Sequence, residues 1–156
     1  KGPKKWPESS PKMIKNELNK MMKKVVQKMI KNGIDVTNST VGVMGITFKE
    51  NCPDIRNSKA IDIITELRNW NIKAVIVDPW ADPVDVQSTY GLSLGEISKK
   101  EQVDSLIVAV GHHQFRDLKP EELRGFCRGS MPVIADVKSI YDRSALDALD
   151  FSVFRL

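Results

Sequence analysis

Between Ile14 and Met29 apolar side chains recur at spacings of four, three, four and four: Ile14, Leu18, Met21, Val25 and Met29. That period puts one apolar stripe on an α-helix, and Met22, Val26 and Ile30 widen it. Lysines fill the other face. Gly33 stands where a left-handed C-terminal cap belongs, so the pattern predicts a helix over 12–32. From residue 41 the period changes. Val41–Thr47 is a short β-rich run, Lys73–Val77 is almost continuously apolar, and Ser105–Val110 and Pro132–Val137 repeat the character. Between these runs lie helical stretches. Ser58–Trp70 carries Ile61, Ile64 and Leu67 on one side. Asp82-Pro83 opens a short helix, with Asp as the cap and Pro at the first position. Lys119–Cys127 begins with Pro120 and has Glu121 and Glu122 in the dipole-favoured first turn. Ser144–Leu149 reads as a last short helix and Phe151–Phe154 as a last strand, while 91–103 shows no decisive period.

Strands that alternate with helices pair in parallel through crossovers. Continuous apolar strands imply a sheet covered on both faces. The expected fold is a Rossmann-like α/β sandwich preceded by a long helix. Residues 1–11 contain three prolines and no periodicity, and read as a linker or tag remnant.

Composition alters this picture in two places. Residues 1–31 hold ten lysines against Glu8 and Glu17, so the net +4 of the chain conceals a globular body that is net acidic. Such an arm admits nucleic-acid docking, but aromatic residues are not interleaved with the lysines, so the basicity reads as the solvated face of a helix and no nucleic-acid partner is expected. No apolar run approaches the ~20 residues that a membrane-spanning helix needs. Cys52 and Cys127 form no CxxC pair and no zinc set, so free thiols, a cytoplasmic setting and no metal are expected.

In open parallel sheets ligands bind at the carboxyl ends of the strands. Four segments qualify: Phe48-Lys49-Glu50-Asn51, Asp78-Pro79-Trp80, Gly111-His112-His113 and Lys138-Ser139. The lysines and histidines suit an anion, and Phe48 or Trp80 suits stacking on a base or sugar. A glycine-rich dinucleotide turn is missing: Gly42 and Gly45 lie inside the first strand, where glycine permits close packing, and bulky Phe48 and Lys49 follow. Without that turn Asp78 reads as a loop cap. His112 and His113 read as hydrogen-bonded structural residues, with no carboxylate cluster spaced to assist them. Cys52 reads as an unreactive loop thiol, and Cys127, at a helix end where the dipole opposes a thiolate, as structural.

The stretch Gly45-Ile46-Thr47-Phe48-Lys49-Glu50-Asn51-Cys52-Pro53-Asp54-Ile55-Arg56-Asn57-Ser58 resembles the signature that opens the C-terminal domain of the UDP-glucose/GDP-mannose dehydrogenase family. Its wording is nearest to the branch that oxidises UDP-N-acetylhexosamines for Vi-antigen-type and O-antigen polysaccharides. Further matches follow in Val77-Asp78-Pro79-Trp80, in Ile107 to Phe115 and in Asp136 to Asp142. The resemblance implies one part of a larger NAD-dependent enzyme that oxidises the sugar C6 alcohol to a carboxylate. Residues 12–38 are then the tail of a central helical domain and 39–156 the UDP-sugar-binding domain. No catalytic residue is expected in this chain, because the cysteine of the GGxC-type motif and the main NAD-binding domain have no counterpart here. The expected partners are the UDP-sugar, the remainder of the enzyme and a second copy, as a homodimer or larger assembly.

By the same resemblance Phe48 and Lys49 contact the UDP-sugar, and Lys138 reaches the nucleotide where many relatives carry Arg. Arg56 has two readings, a contact to NAD or an ion pair with Asp54. Asp54, Asn57 and Ser58 shape the loop and cap the helix. The competing class is a non-catalytic interaction module that docks partners through the basic N-terminal helix.

Overall fold

The computed structural model describes residues 12–155, with side chains from Asn16 onward. The expectations for residues 1–11 and for the side chain of Ile14 lie outside the described residues. Helix α1 spans Lys12–Lys31 and stops at Gly33, whose φ of +82° is the left-handed cap the sequence predicts. Leu18, Met21, Met22, Val25, Val26 and Met29 are all buried along it. Ile30 departs from expectation: it lies one position round from Met29 in the last turn and is 57% exposed, so the stripe is narrower there.

Five strands form one parallel sheet: β1 (Thr40–Met44), β2 (Lys73–Val77), β3 (Ser105–Val108), β4 (Val133–Asp136) and β5 (Ser152–Arg155), in the order β2-β1-β3-β4-β5. The strands alternate between two hydrophobic clusters, as the two-residue period of a strand requires. Val41, Val43, Ile76, Ile107, Val133 and Ala135 face a cluster shared with α1, with α2 (Ala60–Asn69) and with α3 (Pro83–Tyr90). Met44, Leu106, Val108, Ile134 and Val153 face a second cluster with Phe115, Leu123 and Leu146. Those three belong to α4 (His113–Arg116), α5 (Pro120–Gly125) and α6 (Arg143–Asp147). The Rossmann-like sandwich is therefore the observed fold. Each fully buried Leu, Ile, Val or Met contributes about 1.5–3 kcal/mol by leaving water, so the six on α1 weld that helix to the sheet.

Several boundaries differ from the periodicity. β1 and β3 end at Met44 and Val108, short of Thr47 and Val110, because the chain leaves the sheet to build loops. β2 is an edge strand and is only partly covered, although its sequence is as apolar as that of a central strand. Residues 91–103 form neither helix nor a full strand. Leu94 bridges Ile76, and the Gly95 N–H donates to the Ile76 carbonyl at 2.7 Å, which occupies part of the exposed β2 edge. Gly42 permits this segment to close on the sheet, since a β-carbon there would sit 2.4 Å from Cδ1 of Ile97. α5 stops at Gly125, so Cys127 lies beyond the helix and bridges Val103. Among the described residues no helix is long and apolar enough to cross a membrane.

The register decides where function can sit. One row crosses the sheet through Val77, Met44, Val108, Asp136 and Arg155, so all five strands end level with one another. Their following loops meet at one rim. Gly45 makes the first of those exits with φ +104°, and a β-carbon on it would lie 2.5 Å from the Val110 β-carbon. Gly45→Ala combines a left-handed backbone with that overlap, and is expected to cost about 2–3 kcal/mol. Urea unfolding of the two proteins measures it; an unchanged midpoint would show that the rim relaxes freely.

Candidate functional site

The loop after β1 is fixed by hydrogen bonds that cross the rim. Asp78, at the end of β2, is buried and accepts at Oδ2 from the N–H groups of Ile46 (2.7 Å) and Thr47 (3.2 Å). Its Oδ1 accepts from Trp80 and Ala81, the cap role expected of it. His112, after β3, is fully buried, and its Nε2 lies 3.0 Å from Asp78 Oδ2 and 3.1 Å from Thr47 Oγ1. Its Nδ1 accepts from the Asn51 N–H at 2.9 Å. A nitrogen that accepts carries no proton, so the ring proton sits on Nε2 and points at the carboxylate. The Thr47 hydroxyl donates onward to the Lys49 carbonyl at 3.0 Å. The Asn51 side chain accepts from the His113 N–H at 2.9 Å.

His112 is thus the structural residue the sequence suggests, with one correction: a carboxylate does assist it. Asp78 lies 34 positions away, and only the sheet order brings the two together. Burial alone pushes the Asp78 carboxyl upward, but hydrogen bonds from His112, Ile46 and Trp80 outweigh it and hold the group below its ordinary 3.8.

A second buried carboxylate, Asp136 at the end of β4, braces the loop that carries Lys138. It accepts from the N–H groups of Ile140 (3.1 Å) and Tyr141 (3.0 Å). Between these loops opens a cleft of about 190 Å³. Thr47, Phe48, Lys49 and Glu50 after β1 line it, together with Ala109, Val110 and Gly111 after β3 and with Lys59, Ala60, Arg116 and Lys138. Phe48 is half exposed, an apolar ring beside a polar opening. Backbone in the left-handed region surrounds it: Asn51, Asn57 and Ser139 have φ of 54°, 58° and 52°.

The structure gathers Phe48, Lys49 and Lys138 into this cleft, as the sequence placed them. Arg56 stands apart. It clasps Asp54 through Nε–Oδ1 and Nη2–Oδ2 contacts of 3.0 Å each, with its side chain 81% exposed. That fork draws the Asp54 carboxyl down to about 2 and raises the guanidinium. Trp80 does not line the cleft; its indole N–H donates to Gln114 at 2.9 Å, and its ring lies over His112 with centroids 6.2 Å apart. Both cysteines are free thiols. Burial pushes Cys127 up to about 12, which suits an inert thiol.

Two cleft residues, Lys59 and Arg116, escape a reading that searches only strand-end loops. Lys59 precedes α2 by one residue, so the helix start returns it to the rim. Its signal was its place directly after the Phe48–Ser58 stretch. Arg116 belongs to α4, a helix too short to show a period. Its guanidinium holds Glu50 at 3.3 Å and donates to the Gly111 carbonyl at 3.0 Å. Among the described residues no cluster of His, Cys, Asp or Glu could hold a metal ion.

A family model described as the UDP-binding domain of the UDP-glucose/GDP-mannose dehydrogenase family matches residues 42–143. The UDP-N-acetyl-D-glucosamine 6-dehydrogenase of Salmonella typhi is 42% identical over 122 residues, which is 78% of this chain and 28% of that protein. The protein of the same name from Pseudomonas aeruginosa is 35% identical over 127 residues, covering 81% and 30%. The chain spans less than a third of the length of these curated relatives. In structure, the NDP-N-acetyl-D-galactosaminuronic acid dehydrogenase of Methanosarcina mazei Go1 superposes with a TM-score of 0.80 at 16% identity, over 99% of this chain and 34% of that one.

The Asp78 anchor has a pH signature. A carboxyl held below its usual value stabilises the fold fully above pH ~4, and that contribution is lost as pH falls through the folded-state value. Asp78→Asn leaves buried N–H groups poorly paired, and is expected to cost about 2–4 kcal/mol at pH 7. The gap should narrow below pH ~4, where the wild-type carboxyl also protonates. Urea midpoints at pH 7, 5, 4 and 3 test this; a constant gap would mean the negative charge contributes nothing.

Proposed function

The chain belongs to the UDP-glucose/GDP-mannose dehydrogenase family through its UDP-binding domain, and from that premise we propose that the cleft holds the diphosphate of a UDP-sugar during an NAD-dependent oxidation of the sugar C6 alcohol. The observation that carries this reading is the meeting of Phe48, Lys49 and Lys138 in one cleft, although 89 positions separate the two lysines. A diphosphate carries two negative charges, and ammonium groups from two separate loops supply charge-assisted hydrogen bonds to it. Lys at 138 gives a compact point charge where Arg would give a planar fork, so this loop recognises charge more than orientation. Phe48 covers an apolar face of the ligand beside the phosphates. The Asp78 and Asp136 anchors hold the two lysine loops in place, so little order must be imposed when the ligand enters.

We assign an N-acetylhexosamine as the sugar, because two relatives at 42% and 35% identity are UDP-N-acetyl-D-glucosamine 6-dehydrogenases. NAD, when bound, accepts the hydride. The described residues offer NAD one point of contact, Arg56, whose exposed guanidinium spends Nε and Nη2 on Asp54 and can turn its remaining edge to a cofactor held by another part of the enzyme. The nucleophile and the main dinucleotide site then belong to the remainder of the enzyme, which we take to work as a homodimer or larger assembly in the cytoplasm. The competing docking-module reading would use the lysine face of α1, exposed at Lys20, Lys23, Lys24 and Lys31, but no aromatic side chains are interleaved with those lysines for a polynucleotide to stack on.

In the full-length enzyme, Lys49→Ala and Lys138→Ala are each expected to remove one charged hydrogen bond worth about 1.5–3 kcal/mol. KM for UDP-N-acetylglucosamine, followed by NADH absorbance, should rise roughly 10–100-fold with a smaller change in kcat. Unchanged KM in both variants would end the proposal.

A further inference from the structure

We propose that Lys59 is a third ammonium ligand of the diphosphate, sharing a phosphate group with Lys138 across the cleft. This rests on the reading of the cleft as a diphosphate site and adds a residue to it.

Lys59 reaches the rim through local structure. Asn57 turns the chain at φ +58°, and buried Ser58 caps the helix start by accepting the Ala60 N–H at 3.2 Å. The helix therefore begins at the cleft, and both Lys59 and Ala60 line it. The Lys59 side chain is exposed, and among the described residues it makes no capping bond.

The charge balance of the cleft supplies the argument. Lys49, Lys59, Lys138 and Arg116 line it, and Glu50 is the one acidic residue among its lining. Glu50 is engaged by Arg116 at 3.3 Å. The lysines are left facing one another, and the effect is felt at Lys138. Its ammonium is held below 10.5 first by removal from water and then by the nearby charge of Lys59, with Glu50 acting the other way. Like charges brought together in one cleft repel, and an anion that bridges them reverses the sign of that interaction. Two lysines would neutralise a diphosphate. The third makes the cleft over-positive, which favours the diphosphate over a neutral nucleoside beyond what Lys49 and Lys138 achieve.

The test uses UDP and uridine as competitive inhibitors of the full-length enzyme against its UDP-sugar. Lys59→Ala is expected to raise Ki for UDP roughly tenfold, the loss of about one charged hydrogen bond. Ki for uridine should stay unchanged, because uridine lacks the diphosphate. Lys59→Arg should keep UDP binding near wild type, since the charge remains. If Lys49→Ala weakens UDP while Lys59→Ala does not, Lys59 is a solvated surface lysine and the inference fails with the diphosphate site intact. If neither variant weakens UDP, the diphosphate reading fails and takes the inference with it. An equal loss of UDP and uridine affinity in Lys59→Ala would also overturn the inference, because it would report damage to the site's shape.

Discussion

A parallel sheet whose strands end level presents a row of backbone groups that no further strand can satisfy, and Asp78 answers that constraint. One carboxylate receives N–H groups from the β1 exit and from its own loop, and lies against the ring of His112 beyond β3. Three strand ends are tied through a single buried charge. Burying a carboxylate is costly unless nearly all of its lone pairs are used, and here they are. The same device recurs at β4, where Asp136 accepts from Ile140 and Tyr141. The cleft is the space left between two loops that each hang from a strand-end carboxylate. The two carboxylates that build the rim, Asp78 and Asp136, are turned inward and spent on backbone donors, and the exposed Glu50 is the acidic residue that remains among the described lining of the cleft.

That sorting of charge also explains how a body that is net acidic beyond residue 31 presents a positive cleft. Its arginines are largely committed to carboxylates: Arg56 to Asp54, Arg128 to Asp104, Arg143 to Asp147 and Arg116 to Glu50. Arg56 and Arg128 each meet their carboxylate through two guanidinium nitrogens, the planar fork that matches a carboxylate, and so tie loop residues together. The cleft lysines have flexible stems and compact charges, and their potential is felt by whatever enters. The field is local, so attraction of an anion begins near the rim and is screened within about 8–10 Å at ordinary salt.

The sequence revealed the elements that have a period and missed those that depend on long-range assembly. β2 and the buried face of α1 could be read because their apolar positions repeat. α4 could not, since four residues define no period, and with it went Arg116. The edge position of β2 was hidden because its composition is that of a central strand. The partnership of Asp78 with His112 was illegible for another reason: it depends on strand order, which places β1 between β2 and β3 and allows residues 34 positions apart to touch. The gathering of Phe48, Lys49 and Lys138 was legible from a general rule, that ligands collect at the carboxyl ends of parallel strands, together with a motif that named the residues. Arg56 shows the limit of a motif: its role toward a cofactor came from resemblance, whereas its visible partner is Asp54.

The division of labour in the proposed reading follows from what this chain holds. The diphosphate is not altered when the C6 alcohol is oxidised, so contacts made here are the same before and after the reacting bond changes. Such contacts act on the chemical step only by fixing where the sugar lies relative to groups supplied elsewhere. Precision is then what the cleft must deliver, and the architecture meets that demand with rigid means: level strand ends, buried carboxylates and loops held in left-handed turns. The buried thiol of Cys127 is pushed to about 12, and it lies past α5 beside Val103, away from the rim loops. A domain that grips the invariant end of its ligand can keep a fixed charge pattern while the sugar end is recognised by other surfaces, which is how one fold serves relatives that differ in the sugar they oxidise.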